Sequence, residues 1–329
     1  MMAFIYSGIY SGAYSGYQFL PDARGDHQMQ PWPPFKIMML CTLLMAGAAC
    51  TTTSTTQSSP QRQQVTQADQ AVDVATLRGL AEQGDAEAQA RLGFAYDKGE
   101  GVSQDDEQAL FWYQKAADQG NAAGQSGLGF MYDGGKGGLV QDEQQALFWY
   151  RQAAEQGDAR GQNNLGSMYA NGRGGLAQND RQAVYWFRQA AEQGFAVAQT
   201  SLGAMYKVGR GVRQSYTQAF SWYKQAAEQG DARGQSNLGA LYLDGRGVRQ
   251  DYSEALYWIY QAAEQDYAHS HYIIGVMYAE GIGLPKNGAE ALIWYEKAAS
   301  QGHVEAQARL GLAYAEGTDV LRDHTKAAG

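Results

Sequence analysis

Ala109-Leu110-Phe111-Trp112-Tyr113 decides the fold, because close copies of this stretch recur along the chain. The next copy is Ala146-Leu147-Phe148-Trp149-Tyr150, and the last is Ala291-Leu292-Ile293-Trp294-Tyr295. The copies are 36 or 37 residues apart, as the positions of six tryptophans show: Trp112, Trp149, Trp186, Trp222, Trp258 and Trp294. A fixed period of this size indicates stacked supersecondary units, each unable to bury its apolar face alone. These aromatic residues are therefore assigned to packing.

Two helices are predicted in each unit. In the first unit Ala88, Leu92 and Tyr96 are four residues apart and form one apolar stripe on a first helix. Gly93, beside Leu92, allows a second helix to approach closely. Gly99 follows the stripe and is predicted to end the first helix, because glycine adopts left-handed backbone angles at little cost.

The second helix of each unit has a recurrent start signal. Its cap position holds a side chain that can accept hydrogen bonds from free backbone N–H groups: Asp105, Asp142, Asn179, Ser215, Asp251 and Asn287. Three residues later stands a glutamine or glutamate: Gln108, Gln145, Gln182, Gln218, Glu254 and Glu290. This pattern predicts a reciprocal capping box six times. It also predicts a right-handed helical solenoid of six full units and a partial seventh.

The whole pattern resembles the Sel1-like repeat, a relative of the tetratricopeptide repeat. The residues that carry the resemblance are Leu-Gly-x-x-Tyr, Gly-x-Gly-Val and Ala-x-x-Trp-Tyr-x-x-Ala within 81–116, and the match extends to about Gly317. The resemblance implies an all-α, right-handed α/α superhelix of helix-turn-helix repeats that serves as a protein–protein adaptor, often in bacterial envelopes. A cysteine-rich branch of that family is associated with activity on β-lactams, but no repeat here contains cysteine.

Three segments precede the predicted repeat array of residues 68–329, in which 69–80 is expected to form a helix covering the open end. Residues 1–36 are a low-complexity extension, for which a start codon placed too far upstream is one explanation. Residues 37–50 contain an apolar run too short to span a bilayer, and the run resembles a bacterial lipoprotein signal ending at Cys50. Residues 51–67 are rich in Thr, Ser and Gln, which predicts a flexible linker.

The lipoprotein resemblance implies that Cys50 becomes an acylated N-terminus in the cell envelope. Thr51 follows Cys50 instead of an aspartate, which by the same resemblance favours the outer membrane and a periplasmic repeat array. Gly47 departs from the usual aliphatic residue of that motif. Cleavage near Ala49 without lipid and an uncleaved cytosolic protein are the alternatives.

Composition narrows the classes of partner. The formal net charge is −9, which argues against nucleic acid because phosphate neutralisation needs a concentrated basic face. Both cysteines, Cys41 and Cys50, precede the repeats, so the array has neither a disulfide nor a thiolate metal site. We expect no cofactor, and no membrane contact other than a lipid at Cys50.

Three motifs resemble a catalytic, a metal-binding and a phosphate-binding sequence, but we do not predict such a site at any of them. Ser221-Trp222-Tyr223-Lys224 matches the S-x-x-K motif of penicillin-interacting enzymes, but its aromatic residues fill repeat positions. His269 and His271 are two residues apart, so they face apart on a helix, and we predict surface roles. Gly134-Gly135-Lys136-Gly137 lacks the remaining residues of a phosphate loop and is predicted to be a lengthened turn. No catalytic or metal site is expected.

The first helices are predicted to line a concave groove whose exposed residues bind the partner. Phe94 and Phe130 are candidate apolar anchors. The later repeats offer Arg160, Asn163, Asn171, Lys207, Arg233, Ser236, Asn237 and Tyr272. Such donors suit a protein or peptide, an acidic one included. Arginines in loops 209–213 and 245–249 are either solvated or a second anion contact. The leading hypothesis is an envelope scaffold; a cell-wall or β-lactam hydrolase and a cytosolic signalling adaptor are the alternatives.

Overall fold

The computed structural model describes residues 17–21, 27–31 and 74–316. The first two segments are strands β1 (Tyr17–Pro21) and β2 (His27–Pro31), paired antiparallel with Tyr17 opposite Pro31. The sequence pattern did not predict this pair. The signal-like segment, Cys50, the linker and the end of the seventh unit lie outside the described residues.

Fourteen helices make up the described residues from Val74 onward. They are α1 (Val74–Glu82), α2 (Ala86–Lys98), α3 (Asp106–Asp118), α4 (Ala122–Gly134), α5 (Glu143–Glu155), α6 (Ala159–Asn171), α7 (Asp180–Glu192), α8 (Ala196–Val208), α9 (Tyr216–Glu228), α10 (Ala232–Asp244), α11 (Tyr252–Ala263), α12 (Ala268–Glu280), α13 (Gly288–Ser300) and α14 (Val304–Glu316). Each even-numbered first helix from α2 to α12 packs on the odd-numbered second helix that follows it, and that second helix packs on the next first helix. The predicted all-α solenoid is confirmed.

Helix α1 covers the first repeat, as predicted for the end of the stack. Leu77 and Ala81 are buried on this helix and join the core cluster of Leu92 and Trp112. The predicted helix began at Asp69, and its described part begins at Val74. Among the described helices, none is both long enough and apolar enough to cross a bilayer.

The paired helices approach closely at one glycine per repeat. A Cβ added at Gly93 would lie 2.8 Å from a ring carbon of Tyr113, and one at Gly239 would lie 2.3 Å from Cγ1 of Ile259. No side chain larger than hydrogen fits there without a shift of its neighbour. The prediction that glycine permits close approach of the second helix is confirmed, and the residue after each tryptophan is what fills the space. Gly99, with φ of 70°, ends α2 in the left-handed region, also as predicted.

The second-helix caps form, but the capping box is one-sided. The side chain of Asp105 accepts from the backbone N–H groups of Glu107 and Gln108, and each of the other five cap side chains accepts from the N–H three residues later. The backbone N–H of Asp105, however, donates to the carbonyl of Tyr96 at 3.0 Å, and the equivalent bond occurs in every repeat from one to six. The prediction of a reciprocal box is therefore wrong, because tertiary packing supplies the second acceptor.

A basic residue in the turn of several repeats ties that repeat to the one before it. Lys136 lies 3.0 Å from both Asp97 and Asp106, which confirms that its glycine-rich stretch is a structural turn. Arg210 hydrogen-bonds to Asp180 and to the backbone carbonyl of Ala170 at 2.8 Å. Because its guanidinium is engaged in this way, Arg210 does not fit the alternative of an external anion contact.

Candidate functional site

The first helices of successive repeats converge on one side of the array. Helices α2 and α4, α4 and α6, and α8 and α10 contact each other directly. One cavity of about 390 Å³ on this side is lined by residues of four successive repeats: Phe94, Asp97, Lys98, Tyr113, Ser126, Phe130, Arg160, Asn163, Asn164, Phe195 and Val197. A single cavity can touch α2, α4, α6 and α8 only if the surface there is concave. We call this cavity of about 390 Å³ the aromatic cavity.

Four of the predicted binding residues come together in the aromatic cavity: Phe94, Phe130, Arg160 and Asn163. The guanidinium carbon of Arg160 lies 4.3 Å from the ring centroid of Phe94. Phe130 has 36% of its surface exposed. A larger adjoining cavity of about 740 Å³ also contacts Phe94, Arg160 and Phe195.

The charge in the aromatic cavity is positive on balance. Burial alone would raise the pKa of Asp97, but Lys98 at 2.7 Å and Lys136 at 3.0 Å outweigh it and hold that pKa below its usual value. Asp97 is therefore ionised and forms ion pairs with both lysines. Among the described residues no carboxylate lies within ion-pair distance of Arg160, although the nearby Asp158 carboxylate interacts with its charge.

Asn163 carries a buried hydrogen-bond acceptor without a donor. Its side-chain NH₂ donates to Oδ1 of Asn164 at 3.3 Å, while its own Oδ1 has no partner in the described structure. The equivalent residue in repeat four, Thr200, donates to the cap carboxylate of Asp231 in the next repeat at 2.7 Å. Phe195 occupies that cap position next to Asn163 and offers neither donor nor acceptor.

Phe195 is a site residue that the sequence reasoning missed. The cap of the first helix is Asp85, Asn121, Asp158 and Asp231 in repeats one, two, three and five, and each caps through its side chain. Phe195 caps α8 without a side-chain hydrogen bond, and so does Tyr267 for α12. An aromatic residue at a capping position forgoes roughly 0.5–2 kcal/mol of stability. The aromatic residue at a position that usually holds Asp or Asn was the sequence signal that could have identified Phe195.

Three predicted groove residues are not exposed. Asn163, Ser236 and Tyr272 have only 9%, 1% and 3% of their surface exposed. The prediction that these side chains are exposed is wrong because each lies under the cap of the next repeat. Ser236 Oγ has no partner in the described structure, where Tyr267 replaces a cap carboxylate, and Tyr272 stacks on His303 with ring centroids 4.6 Å apart.

Three of the remaining predicted residues form a second group, away from the aromatic cavity: Lys207, Arg233 and Asn237. Lys207 Nζ donates to Oδ1 of Asn237 at 3.1 Å, and the Asn237 amide donates to the carbonyl of Arg233 at 2.8 Å. Burial lowers the pKa of Lys207 and raises that of nearby Asp244 to about 6. Asn171 is exposed and donates to the carbonyl of Ser167.

The residues of the motifs that resemble catalytic or metal-binding sequences make ordinary surface or packing contacts. Ser221 and Lys224 are exposed on α9, and Lys224 lies 3.8 Å from Glu228 on the same helix. His269 contacts His303, with 3.0 Å between Nδ1 of the former and Nε2 of the latter. The surface role predicted for His271 is wrong, since this side chain is buried. Among the described residues, no three His, Cys, Asp or Glu side chains are grouped to hold a metal ion.

A solenoid of helix pairs with a concave cavity lined by several repeats defines a class of interaction scaffold. The sequence model of the Sel1 repeat family matches seven consecutive segments of the chain: 86–121, 122–158, 159–195, 196–231, 232–267, 268–303 and 304–328. The chain belongs to the Sel1 repeat family. The fold of this family generally mediates protein–protein interaction.

Solved structures include relatives of the same family. A Sel1 repeat protein from Oxalobacter formigenes is 37% identical, with 77% of this chain and 73% of that chain aligned and a TM-score of 0.56. The protective antigen c5321 of uropathogenic Escherichia coli, which has an SLR fold, is 34% identical over 78% of this chain and 62% of its own, with a TM-score of 0.44. This chain thus spans less than two thirds of c5321. No curated protein sequence matches the chain.

Proposed function

We propose that this chain is a scaffold that binds a partner protein or peptide on the concave face formed by its first helices. The observation that carries the proposal is the aromatic cavity, where Phe94, Phe130 and Phe195 meet the guanidinium of Arg160. A positive, apolar recess on a chain of net charge −9 favours a partner segment with an acidic group. The proposal includes neither a nucleic-acid partner nor a cofactor.

Photo-crosslinking from matched positions tests the choice of face. A benzoylphenylalanine at Phe130 would sit in the aromatic cavity, whereas one at Phe148 would sit on a second helix, where 51% of the native side chain is exposed. We expect a discrete adduct from position 130 and none from position 148 in cells that express the full chain. Adducts of equal yield from both positions, or from position 148 alone, would contradict the proposal.

We also propose that the scaffold is tethered to the outer membrane through lipid on Cys50 and faces the periplasm. The support is the apolar segment that ends in small residues before Cys50. Mass spectrometry of the mature N-terminus is the test, with a diacylglycerol-modified Cys50 as the expected result. An uncleaved N-terminus would overturn the tether and favour the cytosolic adaptor.

A hydrolase is the less favoured function. Ser221 and Lys224 lie on an exposed surface of α9, and neither lines the aromatic cavity or its larger neighbour. A nucleophile needs a base within hydrogen-bonding reach and a recess that excludes water. Turnover of a β-lactam that disappeared in Ser221→Ala, with the helical content unchanged, would reverse this ranking.

A further inference from the structure

We propose that copies of this chain associate head to tail, with α14 of one copy packing against α1 and α2 of the next. In this arrangement α14 takes the place of a first helix in front of α1. The inference concerns the two ends of the array, so it goes beyond the proposed function and does not depend on the partner of the concave face. Three features carry it: the face of α1, the face of α14 and the charges beside them.

Helix α1 packs as the second helix of a repeat. Gln89 of α2 donates to the carbonyl of Ala81 in α1 at 2.9 Å, just as Gln199 of α8 donates to the carbonyl of Ala191 in the preceding second helix at 3.2 Å. Every other second helix of the array follows its own first helix. Among the described residues no first helix precedes α1.

One apolar face of α1 is therefore open to solvent. Leu80 has 43% of its surface exposed. The equivalent position in the six complete repeats is an alanine with no exposed surface: Ala116, Ala153, Ala190, Ala226, Ala262 and Ala298. Because the enclosed alanines have a first helix before them and Leu80 does not, a first helix in front of α1 would remove this leucine from water.

Leu77 marks the position that such a helix would take. In the first repeat the equivalent residue is Tyr113, whose ring lies against Gly93 of its own first helix. Leu77 and Val74 line the larger cavity of about 740 Å³, together with Arg91 of α2. The cavity thus reaches the side of α1 on which a first helix would pack.

Helix α14 is a first helix that lacks a second helix among the described residues. Gln307 donates to the carbonyl of Ala299 in α13 at 3.3 Å, the same bond that Gln89 makes to α1. Three positions that are buried in all six complete repeats are only partly buried here: Leu310, Gly311 and Ala313. Their counterparts in the first repeat are Leu92, Gly93 and Ala95. This is the face on which a second helix packs elsewhere in the array.

The two open faces are the two halves of one repeat. Leu77 holds the position that packs over a first-helix glycine, and Gly311 is the glycine at that position on α14. Units of this kind bury their apolar faces only against a neighbour. Because α1 packs at one end of the stack and α14 at the other, the pairing needs two copies. A contact between two different faces leaves a free face on each outer copy, so the assembly grows beyond a dimer.

The charges at the junction favour the same order. Neighbouring first helices touch through fixed positions: Arg233, the second residue of α10, donates to Ser201, the sixth residue of α8, at 3.4 Å. If α14 stands in front of α2, these positions hold Arg309 of one copy and Glu87 of the next. Opposite charges at matched positions favour this register over others.

Sedimentation velocity of the full-length chain tests the inference. Cys50→Ser is present in every sample, so that lipid does not contribute to association. We expect the mass to rise with concentration past that of a dimer, and Leu80→Glu to weaken association about tenfold or more, because its carboxylate would be buried against α14. Phe148→Glu is the matched control, since 51% of Phe148 is exposed on a second helix in the middle of the stack. A monomer at all concentrations, a limit of two copies, or an equal loss in Phe148→Glu would overturn the inference.

A charge exchange tests the register. Arg309→Glu and Glu87→Arg are each expected to weaken association by about threefold or more, and the double variant to recover most of the loss. A double variant no better than either single variant would contradict the proposed junction. If Arg309→Glu unfolds α14, as judged by circular dichroism, the comparison of Leu80→Glu with Phe148→Glu still decides. Crosslinking from position 130 tests the concave face separately, so either proposal can fail without the other.

Discussion

At the residue scale, His271 shows how the array tolerates a change at a buried polar position. In the other repeats a buried glutamine bridges two helices; Gln162, for example, donates to the Ala154 carbonyl and accepts from Gln193 at 2.7 Å. His271 makes the same two contacts, donating from Nε2 to the Ala263 carbonyl at 3.1 Å and accepting at Nδ1 from Gln301 at 3.3 Å. An imidazole offers one donor and one acceptor only when it is neutral.

The stability of the array should therefore fall in mild acid. Burial lowers the pKa of His271, Lys297 lowers it further, and the Ala263 carbonyl and Asp266 oppose the shift without cancelling it. Below an unfolded-state pKa of about 6.5 the unfolded chain binds more protons than the folded one, so stability decreases as the pH falls through that value. We expect His271→Gln to lose less stability than the parent protein between about pH 7.5 and about pH 5, measured by urea denaturation.

Two other histidines limit how much stability in acid His271→Gln can restore. Burial also lowers the pKa of His303, and it lowers that of His269 to about 4, with the neighbouring His303 adding to the effect. Both remain in His271→Gln, so part of the acid sensitivity persists. Equal losses of stability in the variant and the parent would show that His271 does not contribute.

At the element scale, one glycine per repeat sets the distance between paired helices. Gly239→Ala would place a methyl group 2.3 Å from Cγ1 of buried Ile259. Alanine gains about 1 kcal/mol of helix propensity, but overpacking a core costs about 1–3 kcal/mol. We expect a net loss in the free energy of unfolding of up to about 2 kcal/mol, measured by urea denaturation.

Gly79→Ala is the matched control for this prediction. Gly79 lies within α1, and a Cβ added there meets nothing within 4 Å. The same substitution should therefore stabilise the protein by about 0.5–1 kcal/mol. If Gly239→Ala stabilised the protein as much as Gly79→Ala does, close approach at that glycine would not constrain the fold.

The helices could be predicted from sequence because their signals are local and repeated. Gly93, Asp105 and Trp112 each recur in register, so their roles in packing and capping follow from periodicity. The exposure of groove residues could not be predicted in this way. Asn163 and Ser236 are buried because the caps that cover them, Phe195 and Tyr267, come from the next repeat. Whether a polar side chain has a partner depends on that pairing, which one repeat does not reveal.

At the scale of the whole molecule, the array divides into regions of different chemistry. The aromatic cavity gathers apolar and cationic groups from repeats one to four. The group around Lys207 and Asn237 is polar and linked by its own hydrogen bonds, although Ser236 Oγ and Asp244 Oδ1 are buried there without a partner in the described structure. Because the aromatic cavity combines apolar walls with the guanidinium of Arg160, we expect the first four repeats to dominate the binding of a partner.

Charge reversal on the concave face tests the central claim most directly. Arg160→Glu combined with Arg233→Glu changes two exposed first-helix positions, and Arg151→Glu with Arg181→Glu makes the same change in charge on exposed positions of second helices. The measurement is the amount of the crosslinked partner captured from envelope extract by each folded variant. We predict loss of capture in the first pair and parental capture in the second. Unchanged capture by the Arg160 and Arg233 variant would contradict the concave-face scaffold.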